Sequence, residues 1–420
     1  MNDLMQAERA VLDGAASLPE YICAASESAV GAFAALETEY WKSVRDAHKN
    51  GKKLVAYSGP VPNELLFAAD CVPVNLDMLP AVIATGKTLT AELLRDVETH
   101  VSQNLCGCNK LILGALRHGS IEIDALVRAP ISCQSVSSAL NLLQGELTVP
   151  VYTFHTPTKR SERNIEYMVN EVRELADFLG ELTGAKPQLE TLRRLMNSNN
   201  RAKLLLDDCA KLRAGEPCPM SSHMTELGRL YAALGATGAL ETPLEAEIEY
   251  CRCRAEKGDS PCKNGEKHRA YVLQSPLWCL GELTRWLEEK YDIVTVCDGL
   301  GYEYGGLYES AESMEECFAE LSKSLFTTPA LHGGAQNGMS VLERAVITVE
   351  RYKPDVLFFL GDRWCRQSWG LSKMLSDTLQ ERCGRAPFFT DVDGIDPAYK
   401  DLDQIKAQLS EYIEAVVLGK

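Results

Sequence analysis

The sequence repeats one order of apolar runs in two successive halves, and this repeat limits the folds that the chain can adopt. Each half has four short apolar runs, at 54–58, 72–77, 124–129 and 149–154 in the first and at 271–275, 292–298, 355–360 and 386–391 in the second. Amphipathic stretches with helical spacing separate the runs. Strands that alternate with helices form parallel sheets through βαβ crossovers. The sequence therefore predicts an α/β protein with two Rossmann-like parallel-sheet domains.

A helical segment is predicted between the two sheets. The predicted parts are an N-terminal helical segment at 1–52, a first α/β domain at 53–160, a helical segment and linker at 161–268, and a second α/β domain at 269–420. Apolar residues at helical spacing predict a helix from about Ser26 to Lys49. The polar, glycine-containing stretch 251–267 is interpreted as an exposed connection into the second half.

The charge of the chain narrows the range of partners. Its 420 residues carry a formal net charge of −16, which argues against nucleic acid or an anionic membrane as the main partner. The acidic N-terminus does not resemble a secretory signal, and no apolar run is long enough to span a bilayer, so we expect a cytoplasmic protein. Glycine-rich stretches at 299–306 and 332–335 match no dinucleotide-binding or P-loop pattern, so the chain is not expected to hydrolyse ATP itself.

The fifteen cysteines point to metal or redox chemistry, because disulfides are disfavoured in the cytoplasm. Cys133 and Cys365 each follow the third predicted strand of their half, and Cys106 lies on a predicted helix before the third strand of the first half. Ligands of open parallel sheets bind beyond the carboxyl ends of the strands, so two facing sheets could bring these thiols to one shared cleft. Thiolates in such a cleft can hold an iron–sulfur cubane. The residues alone leave a second interpretation open, in which these cysteines are small buried hydrophobes.

Other cysteines are interpreted mainly as packing residues. Cys106 and Cys108 lie two apart, and on a regular helix such residues point away from each other, so one ligand is expected unless the backbone is irregular at Gly107. A second group resembles part of a zinc site: Cys251, Cys253, Cys262 and His268. Structural zinc sites usually show two close cysteine pairs, so a solvated linker is favoured there. Cysteines in apolar or helical patterns are predicted to pack in the core: Cys23, Cys71, Cys209, Cys297, Cys317 and Cys383.

Several motifs occur in the order typical of one protein family. They are Val61-Pro62-Asn63-Glu64-Leu65 after the first strand, Cys106, Cys133, the helix break Leu182-Thr183-Gly184, Lys353-Pro354-Asp355 before the strand that leads to Cys365, and Asp391-Val392-Asp393-Gly394-Ile395-Asp396-Pro397. From about Lys53 to Val417, the chain resembles subunits of the 2-hydroxyacyl-CoA dehydratase and benzoyl-CoA reductase family. The ordered set is specific for the family and much less so for any one member.

The resemblance implies a [4Fe-4S] cluster in the cleft between the two sheets, held by the thiolates of Cys106, Cys133 and Cys365. It implies a lyase, a 2-hydroxyacyl-CoA dehydratase that removes water from an (R)-2-hydroxyacyl-CoA through a ketyl radical. It also implies a heterodimer with a homologous sister subunit and one-electron activation by a separate ATP-dependent iron–sulfur activator protein. Ser58 matches a serine or threonine near the open iron of relatives, and Asp77 stands where some members have a glutamate proposed as catalytic acid or base.

Departures from the family pattern leave alternatives open. Cys108 and the group at 251–262 are additional thiols, which favour an ATP-dependent reductase with a double-cubane [8Fe-9S] cluster, or a reductase similar to benzoyl-CoA reductase. Another alternative is a non-catalytic electron-relay subunit whose sister chain binds the substrate. Asp77 has a shorter side chain than glutamate but retains a carboxylate for proton transfer. The sequence does not specify the acyl chain of the substrate.

Overall fold

The structure is a computed structural model, and it describes residues 30–85, 87–117, 121–129, 133–157, 159–222, 227–273, 282–299, 305–327, 338–396 and 398–419. Cys23, the predicted helix start at Ser26 and the glycine-rich loop at 332–335 lie outside the described residues.

The described residues of the first half form a four-stranded parallel sheet covered by helices. Its strands are β1 Leu54–Ser58, β2 Val72–Asn75, β3 Ala125–Arg128 and β4 Val151–Thr153, in the spatial order β2-β1-β3-β4. The helices of this half are α1 Val30–Arg45, α2 Asn63–Ala68, α3 Leu79–Thr85, α4 Lys87–Val97, α5 Gly107–Arg117 and α6 Gln134–Glu146. All of β1 is buried, which explains its continuous apolar run, because helices cover both faces of a parallel sheet.

A helical segment follows the first sheet. It contains α7 Glu162–Thr183, α8 Leu189–Arg213, α9 Leu227–Leu234 and α10 Glu241–Lys257. α7 begins where the Ser161 hydroxyl accepts a hydrogen bond from the Asn164 amide. It ends at Gly184, whose φ of 73° closes the helix in a left-handed conformation and confirms the predicted break. Within the described ranges, no helix combines the length and the apolar character needed to cross a membrane.

The described residues of the second half repeat the strand order of the first. The strands are β5 His268–Leu273, β6 Ile293–Cys297, β7 Val356–Asp362 and β8 Phe388–Val392, in the parallel order β6-β5-β7-β8. The helices are α11 Leu283–Tyr291, α12 Met314–Leu325, α13 Gly338–Tyr352, α14 Arg366–Cys383 and α15 Leu402–Tyr412, with a π-helical turn at Ile413–Val417. The repeat confirms the predicted α/β class with two parallel sheets.

Both halves use an aspartate to align their first and third strands. The Asp124 carboxylate accepts a hydrogen bond from the Leu54 amide at 2.8 Å, and the Asp124 amide donates to the Leu54 carbonyl at 2.8 Å. Asp355 and Arg269 make the same reciprocal pair in the second half, at 3.0 and 2.8 Å. The two third strands therefore start level with the first strands beside them.

One hydrophobic core joins the two halves. It contains Ala56 and Leu126 from the first sheet, together with Leu357 and Phe359 from the second. Burial of apolar surface is the dominant favourable term in folding. The sheets are therefore held in a fixed relation by packing rather than by a loose connection.

Helix α12 belongs to the second half in sequence but packs against the first. Cys317, Phe318 and Leu321 share a buried cluster with Val55 and Val127 of the first sheet. The helix also contacts α7. The chain of the second half thus crosses to the first before it returns to β7.

Most residues of the stretch 251–267 are exposed, as its polarity predicts, but two of its cysteines are buried. Its first residues complete α10, and Cys251 on this helix is fully buried. Cys262 is buried in the shared core, whereas Cys253 is exposed. The predicted exposure therefore holds for most of the stretch, but its start is the end of a helix, one face of which packs into the core. Cys71, Cys209, Cys297 and Cys317 are buried and Cys383 is partly buried, which confirms these packing cysteines.

Candidate functional site

Cys133 and Cys365 occupy the same position in the two halves. Cys133 directly precedes α6 and Cys365 directly precedes α14, the helices that follow the third strand of each sheet. Their carbonyls accept the first hydrogen bond of the helix, from the Ser137 amide at 3.0 Å and from the Trp369 amide at 3.2 Å. Both cysteines are therefore N-cap residues beyond the carboxyl ends of inner strands, where the sequence predicts a ligand site.

Cys106 lies at the N-terminus of a third helix. The sequence pattern predicts it on the helix, but α5 begins at Gly107, and the Cys106 carbonyl accepts a hydrogen bond from the Lys110 amide at 3.1 Å. The regular helix on which Cys106 and Cys108 would point apart does not include both residues, because Cys106 precedes α5 and only Cys108 belongs to it. Interaction with the Cys106 thiol, together with burial, raises the pKa of Cys108 well above its ordinary value.

Cys106 lies near both of the other N-cap cysteines. Burial raises the pKa of Cys133 and of Cys365, and electrostatic repulsion by Cys106 adds to the rise in both cases. Such repulsion requires proximity, because the interaction of two charges falls with their separation. The start of α5 also contacts the start of α6, through Asn109 and Ser135, and it contacts the second half at Ile395 and Asp393, so the helix starts that carry the three cysteines are neighbours.

The N-termini of α6 and α14 supply hydrogen-bond donors to their cysteines. The amides of Ser135 and Val136 act on Cys133, and the amide and hydroxyl of Ser368 act on Cys365. These donors favour the thiolate and oppose the effect of burial on the pKa. Helix N-termini also stabilise negative charge through their aligned peptide dipoles. The cysteines thus occupy positions suited to thiolates, the form that binds iron.

A close contact holds the start of α5 against the second half. A Cβ atom on Gly107 would lie 3.0 Å from the Cβ atom of Ile395 and 3.3 Å from Oδ1 of Asp393. A larger residue would push the helix away, so glycine permits this approach. The Asp393 carboxylate is itself fixed, because it accepts hydrogen bonds from the Asp396 amide at 2.9 Å and from the Arg363 guanidinium at 3.0 Å.

Ser58 and Asp77 form a polar pair at the carboxyl ends of β1 and β2. The Ser58 hydroxyl donates to Oδ1 of Asp77 at 2.8 Å, and the Gly59 amide donates to Oδ2 at 2.8 Å. Asp77 is exposed, although many protein atoms surround it. The resulting loss of hydration raises its pKa despite the two donors. Asp77 also adds to the raised pKa of Cys133, so the pair lies near that cysteine.

The sequence pattern does not predict a second carboxylate in this region, Asp362 at the end of β7. Burial and repulsion by Asp393 raise the pKa of Asp362 to about 6, although nearby backbone amides oppose the rise. Its charge acts on both Cys108 and Cys365. The signal in the sequence is an aspartate three residues before Cys365 at the end of a predicted strand, the edge where the ligand side chains of a parallel sheet gather.

The donor set is compatible with an iron–sulfur cluster held by Cys106, Cys133 and Cys365. A cubane takes cysteine thiolates as ligands and carries negative charge, which the helix N-termini stabilise. Next to Cys365, the buried indole N–H of Trp364 meets no acceptor in the described part of the chain, and a thiolate or sulfide sulfur would provide one. Among the described residues, no three His, Cys, Asp or Glu side chains form a group that could hold a single metal ion.

The described structure combines two parallel sheets that have the same strand order with a cysteine at the N-cap of the helix after the third strand of each sheet. The family model described as "HGD-D: 2-hydroxyglutaryl-CoA dehydratase, D-component" matches residues 60–416, and the chain belongs to this family. A benzoyl-CoA reductase subunit of Thauera aromatica is 22% identical over 398 residues, which cover 88% of this chain and 90% of that protein. The resemblance inferred from the sequence is thereby confirmed at the level of the family.

Proposed function

We propose that the chain is the [4Fe-4S] subunit of a 2-hydroxyacyl-CoA dehydratase. The observation that carries this proposal is the position of Cys106, Cys133 and Cys365 at three helix N-termini, with Cys106 close enough to raise the pKa of the other two. Membership of the 2-hydroxyglutaryl-CoA dehydratase D-component family supports a thioester substrate of this kind. When bound, the cluster would supply the one-electron chemistry that amino-acid side chains lack.

In this proposal the three cysteines hold the cluster and the helix N-termini keep them in place. Each cysteine backbone is fixed by the first hydrogen bond of its helix, so the direction of each side chain is constrained. Such supporting contacts orient ligands and tune the group that they bind. Cys108 is a candidate additional ligand, because its thiol contacts Cys106.

Asp77 is proposed as the acid–base group, with Ser58 as its positioning partner. Dehydration requires a group that protonates the departing hydroxyl and a group that accepts the β-proton. A carboxyl group with a raised pKa is better matched to proton transfer near neutral pH than an ordinary aspartate is. The exposure of Asp77 makes it accessible to a substrate.

Partners are part of the proposal. The sequence has no phosphate-binding loop with a lysine, so we propose that a separate ATP-dependent iron–sulfur activator delivers the electron. A homologous sister subunit is proposed to complete the enzyme. The net charge of −16 predicts that a basic surface of the activator meets this chain, so that the encounter weakens as salt rises.

A reductase similar to benzoyl-CoA reductase is the second candidate function. The relative from Thauera aromatica is described as part of that enzyme. The contact between Cys106 and Cys108 also brings a fourth thiol to the region, and extra thiolates suit a double-cubane [8Fe-9S] cluster. In either function, an electron-relay role for this chain would leave substrate binding to the sister subunit.

The two functions differ in the product that they form. The chain is purified anaerobically and combined with sister subunit, activator and ATP, and is then given a 2-hydroxyacyl-CoA or an aromatic acyl-CoA. A product lighter than its substrate by one water, formed only when all components are present, is the expected result. Addition of two hydrogens to the aromatic ester without dehydration would contradict a dehydratase and support the reductase. Turnover by the isolated chain with a chemical reductant would contradict the proposed partnership.

A further inference from the structure

The two equivalent cysteines differ in the donors that reach the sulfur atom, and a side-chain donor is observed at Cys365. In the second half, the Ser368 hydroxyl lies 2.8 Å from Sγ of Cys365 and donates a hydrogen bond to it. Ser368 is only 4% exposed, so bulk water does not compete for this hydroxyl. The equivalent position in the first half, three residues after Cys133, is Val136, which carries no side-chain donor.

Hydroxyl groups of the first half have other partners. The Ser137 hydroxyl donates to the carbonyl oxygen of Cys133 at 3.1 Å, which is a backbone contact. The Ser135 hydroxyl accepts a hydrogen bond from the Asn109 side chain at 2.7 Å. The two cysteines therefore occupy the same backbone position in the repeated fold. Cys365 differs in that a side-chain hydroxyl donates a hydrogen bond to its sulfur.

We propose that Ser368 is a positioning residue that raises the reduction potential of the cluster bound through Cys365. This inference rests on the proposed cluster site. One-electron reduction places additional negative charge on the cluster and its thiolate sulfurs. A donor to sulfur stabilises the reduced state more than the oxidised state, so its removal shifts the potential to a more negative value. Burial strengthens the effect, because a hydrogen bond to a charged group is stronger in a region of low dielectric.

Redox titration of the anaerobically purified full chain tests this role, with the cluster followed by its absorbance and its electron paramagnetic resonance. Ser368→Ala is expected to bind as much iron as the wild type and to titrate at a more negative potential. Ser368→Thr keeps the hydroxyl and is expected to titrate close to the wild type. Ser137→Ala is the matched control, because it removes a hydroxyl that contacts the carbonyl of a ligand cysteine, and it is expected to leave the potential unchanged.

The outcomes separate this inference from the proposed function. A wild-type chain that binds no cluster contradicts the proposed function itself. A full iron content in Ser368→Ala with an unchanged potential overturns the role of Ser368 and leaves the cluster site intact. If Ser368→Ala loses its iron, the Ser368→Thr variant is the deciding measurement. Wild-type iron content and potential in Ser368→Thr support the proposed role of the hydroxyl, and loss of both contradicts that role.

A reciprocal variant tests the same physics in the other half. Val136→Ser adds a hydroxyl at the position equivalent to Ser368, within reach of the Cys133 sulfur. The expected result is a less negative potential with unchanged iron content. A shift in the negative direction would contradict the inference, because the added donor can only favour the more negatively charged state.

Discussion

At the scale of single residues, Asp77 is the group on which proton transfer is proposed to depend. Asp77→Asn keeps the shape of the side chain and removes its charge. We expect turnover to fall by about 10²–10⁴-fold, the usual contribution of a positioned acid or base. In the wild type, the titration of Asp77 should appear in the pH profile of turnover above pH 3.8, the ordinary pKa of aspartate, because the pKa of Asp77 is raised. The profile of Asp77→Asn should lack this titration.

The matched control for this change is Asp70→Asn. Asp70 is an exposed aspartate that pairs with Lys52 at 2.5 Å on the surface, and exposed pairs contribute little. Its replacement should leave turnover unchanged. Steady-state kinetics with equal iron content in both variants measures the difference, and unchanged turnover in Asp77→Asn would assign that residue a structural role as the partner of Ser58.

At the scale of elements, the aspartate that links the first and third strands is the contact to test. Asp124→Ala leaves the buried Leu54 amide without its acceptor, and an unsatisfied buried donor costs about 1–3 kcal/mol. Asp124→Asn retains an acceptor oxygen and should lose less. Urea denaturation of the two variants beside the wild type measures the change in the free energy of unfolding.

The same contact predicts a pH dependence. Burial alone would raise the pKa of Asp124, but hydrogen bonds from Lys53, the Leu54 amide and His48 outweigh it and lower the pKa below 3.8. A carboxylate whose pKa is lower in the folded state stabilises the fold above its unfolded pKa, and this stability is lost as the pH falls through the folded value. The difference between wild type and Asp124→Ala should therefore shrink below about pH 4. A difference that grows toward acid would contradict this account.

The strands can be predicted from the sequence because each is a short apolar run beside turn residues. The first strand lies at Leu54–Ser58 as predicted, whereas β5 begins at His268, ahead of the apolar run, since its polar first residues still pair with β6. Helix α10 is not predicted from the sequence because its exposed face is highly charged. Its buried face was nevertheless visible in the sequence as Leu244, Ile248 and Cys251 at helical spacing.

The candidate site was predictable in part. Cys133 and Cys365 follow predicted strands, and the carboxyl ends of parallel strands are where ligands bind, so their position could be read from the pattern. The capping role of Cys106 depends on the residue at which α5 begins, and helix ends are poorly determined by local sequence. The contact of Ser368 with Cys365 required the structure, because it depends on the side-chain rotamers at the start of α14.

At the scale of the whole molecule, a buried hydrogen-bond network joins three parts of the chain. Glu64 on α2 accepts hydrogen bonds from Asn199 on α8 and from the hydroxyl of Tyr308 at 2.6 Å. Tyr308 precedes α12, so the network fixes the segment of the second half that crosses to the first. Lys203 supports it, with its ammonium group 4.1 Å above the Tyr308 ring and 2.7 Å from the Gly306 carbonyl. This crossing is a tertiary contact that no local pattern encodes.

Tyr308→Phe tests the importance of that network. Burial raises the pKa of Tyr308 well above its ordinary value, so the hydroxyl remains a donor at neutral pH. Its removal leaves the buried Glu64 carboxylate with one donor fewer, and we expect a loss of about 1–3 kcal/mol in the free energy of unfolding. Tyr412→Phe, which alters a partly buried tyrosine of the second half, is the control and should change stability much less. Equal losses in the two variants would contradict a specific role for the network.

The most direct test of the central claim is the iron and acid-labile sulfide content of the anaerobically purified chain and its cysteine variants. We expect about four irons per wild-type chain for a single [4Fe-4S] cluster, against about eight for a double cubane. Cys133→Ser and Cys365→Ser are each expected to lose most of the iron. Cys209→Ser, a change at a cysteine buried in the core, is expected to retain it. Full iron content in both Cys133→Ser and Cys365→Ser would contradict a cluster held between the two halves.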